Sequence, residues 1–327
     1  MPTKIRTENQ VGRRLKLRDL HVFFTVVQCG SMARAAGQLG VSQPTVSEVI
    51  ADLEHTFGVR LLDRRPQGVE PTMYGAALFK RSVAAFDELK QSSRDIEFLA
   101  DPTAGELQIG CPDSIAASVL PSFIKHFRSQ HPRVVMHVST VPPPAVRSPG
   151  LRDRKYDLIL AWQATPLPDD LADELNMEGL FNDRLVLAAG MHTRWARRRK
   201  IDLAELVGES WILNEPTAWG YSCVMEAFRA RGLDMPTASL VTPSFPLIMH
   251  FVANGEFITA CPRSVAHLSA LKELSADLPS WPWPVVILTL KNRTLSPVAE
   301  RFIECAREAA KPLAAGAGKL SFHGKEA

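Results

Sequence analysis

The chain has no long apolar run and few cysteines, and each absence excludes a class of protein. No uninterrupted apolar stretch approaches the ~18 residues that a membrane-spanning helix needs. The first ten residues are polar, so we predict neither a secretory signal nor an anchor, and expect a cytoplasmic protein without a membrane partner. The five cysteines are scattered and form no CxxC pair, which argues against disulfide and zinc frameworks.

Signatures of common enzyme classes are missing as well. The sequence contains no GxSxG, GxGxxG, P-loop or HExxH motif, and its nine histidines are dispersed without metal-ligand spacing. We therefore predict no catalytic residue, cofactor or metal. A catalytic site assembled only by folding stays open as an alternative.

The length and composition describe a soluble protein of more than one domain. A chain of 327 residues exceeds what one hydrophobic core normally fills, and 46% hydrophobic with 22% charged residues is ordinary for a globular protein. The net charge of +3 is too small to indicate nucleic-acid binding. Basic residues are concentrated in residues 1–20, which favours a nearby polyanion, although residues 1–14 also fit a solvated, flexible tail.

The segment from Arg18 to Gly75, centred on residues 30–47, predicts a helix-turn-helix. Its first helix carries an apolar stripe at helical spacing, formed by Leu20, Phe23, Phe24 and Val27. Gly30 is placed to end that helix, and Ser31 to cap a short second one. After a turn at Gly40, Ser42 is a good N-cap for a third helix whose inward stripe is Val46, Ile50 and Leu53.

From Gly30 the chain reads GS-x-x-x-AA-x-x-L-x-VSQP-x-VS, followed by Leu53-Glu54, Gly58, Leu61-Leu62, Arg64 and Thr72-x-x-Gly75. This order resembles the winged helix-turn-helix of LysR-type transcriptional regulators. The resemblance implies that the third helix reads double-stranded DNA. Peroxide-sensing members of that family use two cysteines that meet, and Cys223 has no near neighbour in sequence, which argues against that subtype.

The third helix contains no lysine or arginine from Ser42 to Glu54. Its candidates for DNA contact are therefore uncharged or acidic: Ser42, Gln43, Pro44, Thr45, Ser47 and Glu48. Glutamine pairs with adenine, and proline and threonine contact thymine methyl groups. Glu48 either accepts a hydrogen bond from a cytosine amino group or faces solvent.

Affinity is expected to come from basic residues outside the third helix. Residues 58–72 predict a wing of two strands, around 60–63 and 69–71, joined by a turn at 66–68. We expect phosphate contacts from Arg34 and from the wing residues Arg60, Arg64 and Arg65. The alternative is that the wing arginines only solvate a hairpin.

A long helix follows, from residue 73 to about residue 100, and Thr72 is placed to cap it. Its apolar stripe is Phe79, Val83, Phe86, Leu89, Ile96 and Leu99. These spacings suit a helix–helix seam, and the family resemblance implies that this linker helix pairs two subunits. A twofold protein also matches two half-sites in successive major-groove turns.

Beyond a hinge at residues 101–105, strands alternate with helices, which indicates α/β units with a mainly parallel sheet. Landmarks such as Leu120-Pro121, His131-Pro132 and Leu295-Ser296-Pro297 resemble the LysR effector-binding region, two subdomains related to type 2 periplasmic binding proteins. The predicted division is a tail (1–14), an α-rich winged helix-turn-helix (15–72), a linker helix and hinge (73–102), effector subdomain I (103–182 plus 285–313), subdomain II (183–284) and a tail (314–327).

In this fold, ligands bind at the carboxyl ends of strands and at helix starts. By position, the effector-binding candidates are Ser114, Thr140, Asn214, Thr217 and Phe245, with Trp162 and Trp219 as further lining residues; each fits a cap or packing role equally well. Asp113 would oppose an anionic effector, unless it points away. The basic run of residues 194–200 fits a solvated face or a second nucleic-acid patch.

Together these features predict a sequence-specific DNA-binding transcriptional regulator controlled by a small-molecule effector. Its expected partners are double-stranded DNA, the effector, other copies of itself as a homodimer or dimer of dimers, and RNA polymerase. The alternatives are a solute-binding protein without a DNA role, which the effector region alone would permit, and an enzyme with an unrecognised site.

Overall fold

A computed structural model describes residues 15–65, 68–163, 165–216, 218–276, 278–279 and 281–315 of the chain. The chain divides into two compact units between Ser93 and Arg94. The predicted tail at residues 1–14 lies outside the described residues, as do residues 316–327 of the tail predicted at 314–327; its first two residues instead belong to the last helix, which ends at residue 315.

The first unit begins with three helices: α1 (Leu17–Cys29), α2 (Met32–Leu39) and α3 (Gln43–Phe57). Gly30 and Gly40 end the first two with φ of 59° and 66°, left-handed values that glycine adopts without steric cost. The hydroxyls of Ser31 and Ser42 accept hydrogen bonds from backbone N–H groups in the first turns of α2 and α3. The prediction of a helix-turn-helix is confirmed in its helices and caps.

The three helices enclose one small core. Its fully buried members include the predicted inward stripe of α3 together with Phe23, Val26 and Ala35. Met32, Ala35 and Ala36 are the buried residues of α2, and the small size of the two alanines lets this helix approach its neighbours closely. The sequence pattern predicted the inward stripe of α3 and Phe23 correctly, but Phe24 and Val27 are only half-buried, and the buried Val22, Val26 and Met32 were not predicted.

A two-stranded wing follows, formed by β1 (Leu62–Arg65) and β2 (Gly68–Pro71), which pair antiparallel. The first strand starts two residues later than predicted. The N–H groups of Leu61 and Leu62 donate to a carboxylate oxygen of Glu54, at 2.8 and 3.2 Å, instead of to a strand partner. Residues 66 and 67 of the predicted turn lie outside the described residues.

The long helix α4 spans Met73–Ala100, as predicted, and the hydroxyl of Thr72 caps it by accepting the N–H of Gly75 at 3.1 Å. Phe79 and Phe86 on this helix contact the ring of Phe24, with centroid separations of 5.3 and 5.4 Å. The apolar stripe thus begins against α1.

The strands of the second unit are β3 (Ala104–Cys111), β4 (Arg133–Thr140), β5 (Leu158–Trp162), β6 (Leu175–Ala189), β7 (Trp211–Leu213), β8 (Ala238–Val241), β9 (Thr259–Pro262), β10 (Lys272–Glu273) and β11 (Pro282–Leu290). Seven of them form one sheet in the order β10-β6-β11-β5-β3-β4, with β9 also paired to β6. A separate pair of strands is formed by β7 and β8.

The expectation of a mainly parallel sheet is wrong, because four of the six strand pairs in this sheet are antiparallel. β3 pairs parallel with β4 and β5, but β11 runs antiparallel to both β5 and β6, and β9 and β10 are antiparallel to β6. The antiparallel part of the sheet is built on two long strands, β6 and β11, which pair with each other. The sequence pattern does not indicate the full length of β6, because polar residues at 176, 178, 182 and 184 interrupt its first part.

Helices cover the sheet, and their bounds are α5 (Asp113–Ala117), α6 (Leu120–Gln130), α7 (Asp169–Ala172), α8 (Trp219–Ala230), α9 (Phe245–Ala253), α10 (Arg263–Leu268) and α11 (Pro297–Ala315). The largest core of this unit packs α6 and α11 against β3, β5 and β11. A second large core surrounds α8, β7 and the later half of β6. Within the described ranges, no helix is both long and apolar enough to cross a bilayer.

Candidate functional site

The outward face of α3 begins with three exposed residues, Gln43, Pro44 and Glu48. Thr45 is half-buried, and its hydroxyl lies 2.8 Å from that of Ser42. The N-terminal turn is therefore held by the serine cap, while the amide of Gln43 is free to meet a partner outside the chain.

Ser47 is placed differently from the other predicted contact residues. It is half-buried, and its hydroxyl donates to the sulfur of Met32 in α2 at 3.4 Å. This contact joins the second and third helices. To contact a base, the hydroxyl of Ser47 would have to leave Met32.

The wing is fastened to the helices at two points. The carboxylate of Glu54, near the end of α3, accepts the N–H groups of Leu61 and Leu62. The N–H of Val69 donates to the carbonyl oxygen of Gly30 at 2.9 Å. A Cβ at Gly68 would stand 2.4 Å from that same oxygen, so only glycine allows this approach.

The predicted basic residues lie on the surface of the first unit. Arg34, Arg60 and Arg64 are exposed, and among the described residues none of them forms a salt bridge. Arg65 instead pairs across the hairpin with Glu70 at 3.1 Å. Arg64 is paired with Val69 in the antiparallel hairpin of the wing. Because its side chain is exposed, its guanidinium group is available to an anion.

In the second unit, β3, β4 and β5 end side by side at Cys111, Thr140 and Trp162. The carboxyl edge of such a sheet is where α/β folds bind ligands. Ser114, just after β3, accepts a hydrogen bond from the indole N–H of Trp162 at 2.9 Å. Two of the predicted effector residues, Ser114 and Thr140, are thus brought to one edge together with Trp162.

Asp113 does not point away from this edge. Its carboxylate accepts the hydroxyl of Thr140 at 2.8 Å, which links the ends of β3 and β4. Burial first, and then the negative charge of Asp113, raises the pKa of the neighbouring Cys111 thiol to about 12. The strand edge therefore carries negative rather than positive charge.

The remaining effector candidates belong to residues 183–284, the predicted subdomain II. Phe245 begins α9 and is half-buried against the same apolar core that Trp162 contacts. Helix α9 and helix α10 both contact α5, which holds Ser114. Asn214 is half-buried in the connection between β7 and α8, and Thr217 lies outside the described residues.

The basic run of residues 194–200 is partly neutralised. Arg194 pairs with Glu209, and Arg198 pairs with Glu205 at 2.9 Å. Trp195 between them is buried and donates its indole N–H to Glu209. These contacts favour the interpretation of the run as a packed, solvated surface.

The cysteines carry no disulfide among the described residues. Burial, aided by nearby carboxylates, raises the pKa of both Cys223 and Cys261 to about 12. A thiol with so high a pKa is a poor nucleophile at neutral pH. The structure thus gives no support to a cysteine-based redox site.

Two family models match this chain. The model described as "LysR substrate binding domain" matches residues 100–311, and the model described as "Bacterial regulatory helix-turn-helix protein, lysR family" matches residues 17–76. Their junction falls in helix α4.

Curated relatives and solved structures resemble this chain over most of its length. The HTH-type transcriptional regulator TdcA of Escherichia coli (strain K12) is 27% identical over 76% of this chain and 77% of its own length. GbpR of Azospirillum brasilense is 26% identical over 90% of this chain and 87% of its own. Full-length CbnR, solved in complex with its target DNA, matches with a TM-score of 0.61 and 20% identity, covering 90% of this chain and all of that one. A full-length OxyR variant from Pseudomonas aeruginosa also gives 0.61, with 21% identity over 91% of this chain and 95% of its own.

Proposed function

The chain belongs to the LysR family of bacterial transcriptional regulators, and from this premise we propose which residues contact DNA and effector. As a member it is a DNA-binding regulator with an effector-binding domain, not an enzyme. The alternative of a solute-binding protein without a DNA role has no support. The observation that carries the proposal is the exposed, capped start of α3 beside a wing that presents Arg64.

Helix α3 enters the major groove, and its first turn reads base edges. Gln43 pairs with an adenine, and Pro44 and Thr45 contact thymine methyl groups. Glu48 accepts from a cytosine amino group, while Ser42 orients the turn. Ser47 contributes mainly by holding α3 against α2, since its hydroxyl is bonded to Met32.

Affinity comes from the arginines around this helix. Arg34, Arg60 and Arg64 contact phosphates, and Arg65 does so after leaving Glu70. Because α3 itself carries Glu48 and Asp52, it repels the DNA backbone rather than attracting it. The helix is a specificity element, and the wing supplies the attraction.

The second unit binds the effector between its two subdomains, at residues 103–182 plus 285–313 and at 183–284. The contact residues are Ser114, Thr140, Asn214, Thr217 and Phe245. Effector binding shifts the population between two packings of the oligomer, a homodimer or dimer of dimers paired through α4, and so changes the spacing of the DNA-reading helices. RNA polymerase is the partner that responds, in the cytoplasm.

The proposal is tested by the salt dependence of DNA binding. Fluorescence anisotropy with a labelled duplex of mixed sequence gives the slope of log K against log salt concentration. Arg64→Ala should lower the magnitude of that slope by about one unit, since one phosphate contact is lost. Arg147→Ala is the matched control, because Arg147 is exposed in the second unit and pairs with Asp170 at 3.0 Å. An unchanged slope for Arg64→Ala would remove Arg64 from the phosphate contacts.

A further inference from the structure

Three tryptophans form a continuous aromatic surface in the second unit. The rings of Trp162 and Trp283 lie 6.4 Å apart, and those of Trp283 and Trp219 lie 4.5 Å apart, both edge to face. They come from the ends of three elements, β5, β11 and α8. Each is only half-buried, so part of every ring remains open to a ligand.

The aromatic surface is held in place by its neighbours. Ser114 accepts the indole N–H of Trp162 at 2.9 Å, which fixes the orientation of that ring. A Cβ at Gly220 would lie 3.2 Å from the ring of Trp283, so the absence of a side chain there lets Trp283 pack against α8. A preformed surface of this kind loses little entropy when a ligand stacks on it.

A carboxylate without a counter-charge lies next in sequence to the serine that holds Trp162. Asp113 precedes Ser114 in the chain, and Ser114 contacts Trp162 directly. The carboxylate of Asp113 accepts one hydrogen bond from Thr140, and among the described residues no lysine, arginine or histidine pairs with it. A negatively charged ligand group placed at Ser114 or Thr140 would therefore meet repulsion instead of a counter-charge.

We propose that the effector is an aromatic amine, with its ring on the tryptophan surface and its ammonium group at Asp113. The inference rests on the proposed function, since it names the ligand of the same cleft. Tryptophan faces attract flat rings and also cations, so both parts of such a molecule gain from this surface. The hydroxyl of Thr140 stays on Asp113 and orients its second oxygen toward the ammonium group.

The experiment measures binding of three probes to the full-length protein by isothermal titration calorimetry: phenethylamine, hydrocinnamate and cyclohexylethylamine. Phenethylamine and hydrocinnamate differ in the sign of their charge, whereas phenethylamine and cyclohexylethylamine differ in whether the ring is aromatic. Phenethylamine should bind most tightly, and Asp113→Asn should weaken its binding roughly tenfold. Asp169→Asn, which removes an exposed carboxylate elsewhere in the unit, should leave the Kd unchanged.

A second pair of variants tests the aromatic surface. Trp219→Phe keeps a ring and should retain most of the phenethylamine affinity, whereas Trp219→Leu should lose it to the level of cyclohexylethylamine. Thermal denaturation of both variants shows whether they are folded, and equal affinity in two folded proteins would contradict the stacking role.

The proposal is overturned if hydrocinnamate binds the wild-type protein as tightly as phenethylamine does, if Asp113→Asn binds phenethylamine unchanged, or if no probe binds in the millimolar range. DNA binding by the same preparations separates the two claims. Salt-dependent DNA binding without amine binding would contradict the ligand class alone, while loss of DNA binding would contradict the proposed function.

Discussion

The Oδ1 oxygen of Asp157 lies 3.0 Å from the Nη2 nitrogen of Arg293, and both side chains are almost completely buried. The same oxygen is 3.4 Å from Nη1 of Arg94 near the end of α4, and the other carboxylate oxygen accepts the N–H of Gln108 at 2.8 Å. One carboxylate thus joins α4, β3 and the segment before α11. A buried charge of this kind requires its partners, since removal of one leaves the others without compensation.

Asp157→Asn should therefore destabilise the second unit by about 3 kcal/mol, because two largely buried guanidinium groups lose their counter-charge. All six tryptophans lie after residue 93, so tryptophan fluorescence during urea unfolding follows this unit alone. Asp170→Asn, in an exposed pair with Arg147, is the control and should change the free energy of unfolding by less than about 1 kcal/mol. Equal effects of the two variants would show that the buried pair has no special role.

The contact of Glu54 with the wing predicts a loss of both stability and DNA affinity. Glu54→Ala leaves the N–H groups of Leu61 and Leu62 without an acceptor, at a cost of about 2 kcal/mol. The freed wing should bind mixed-sequence DNA roughly tenfold more weakly by anisotropy. Asp52→Ala, which removes an exposed carboxylate from the same helix, should not weaken binding. Unaltered DNA affinity in Glu54→Ala would mean that the wing does not need this anchor.

The exposed end of the apolar stripe on α4 predicts a pairing surface between subunits. Ile96 and Leu99 are 67% and 80% exposed and lie on one helix face. Replacing both by lysine should shift sedimentation from dimer toward monomer, because charged groups would have to enter the seam. Glu97→Lys, on the same helix turn, changes the charge without removing apolar surface. This variant should still sediment as a dimer, as the wild-type protein does. A double variant that remains dimeric would place the subunit contact elsewhere.

Thiol chemistry should follow burial. A pKa of about 12 for Cys111, Cys223 and Cys261 leaves roughly one thiol in ten thousand ionised at pH 8. The reactive thiolate appears only as the pH rises toward 12, so these residues should resist labelling by Ellman's reagent in the native protein. Cys29, which is half-buried, should react first. All five should react in denaturant, and fast native labelling of Cys223 would contradict this order.

Local patterns predicted the first unit well because its helices are short and their signals are adjacent in sequence. The serine caps, the glycine stops and the inward stripe of α3 were each readable within a few residues. The first strand of the wing starts two residues later than predicted, because the carboxylate of Glu54, seven residues before Leu61, accepts the backbone N–H groups there. A side-chain contact of that kind leaves no periodic signal.

Long-range contacts account for what the sequence did not reveal in the second unit. Asp157 and Arg293 are separated by more than a hundred residues, and nothing in either neighbourhood predicts a buried ion pair. The antiparallel pairing of β6 with β11 could not be predicted, because Pro282 and Pro284 lie within β11 and proline argues against a strand. Asp113 and Thr140 were both placed at strand ends by pattern, but their hydrogen bond depends on which strands are neighbours.

The central claim, sequence-specific DNA reading by the exposed start of α3, is tested most directly by selecting binding sites for the full-length protein from a pool of random duplexes. We expect enrichment of two related half-sites whose centres are separated by about one helical turn, ~10 base pairs, or a multiple of it. The same selection with Gln43→Ala should relax one position of each half-site without abolishing binding. If no sequence is enriched over the starting pool, or if the wild type and Gln43→Ala select the same motif, the start of α3 does not read the DNA sequence.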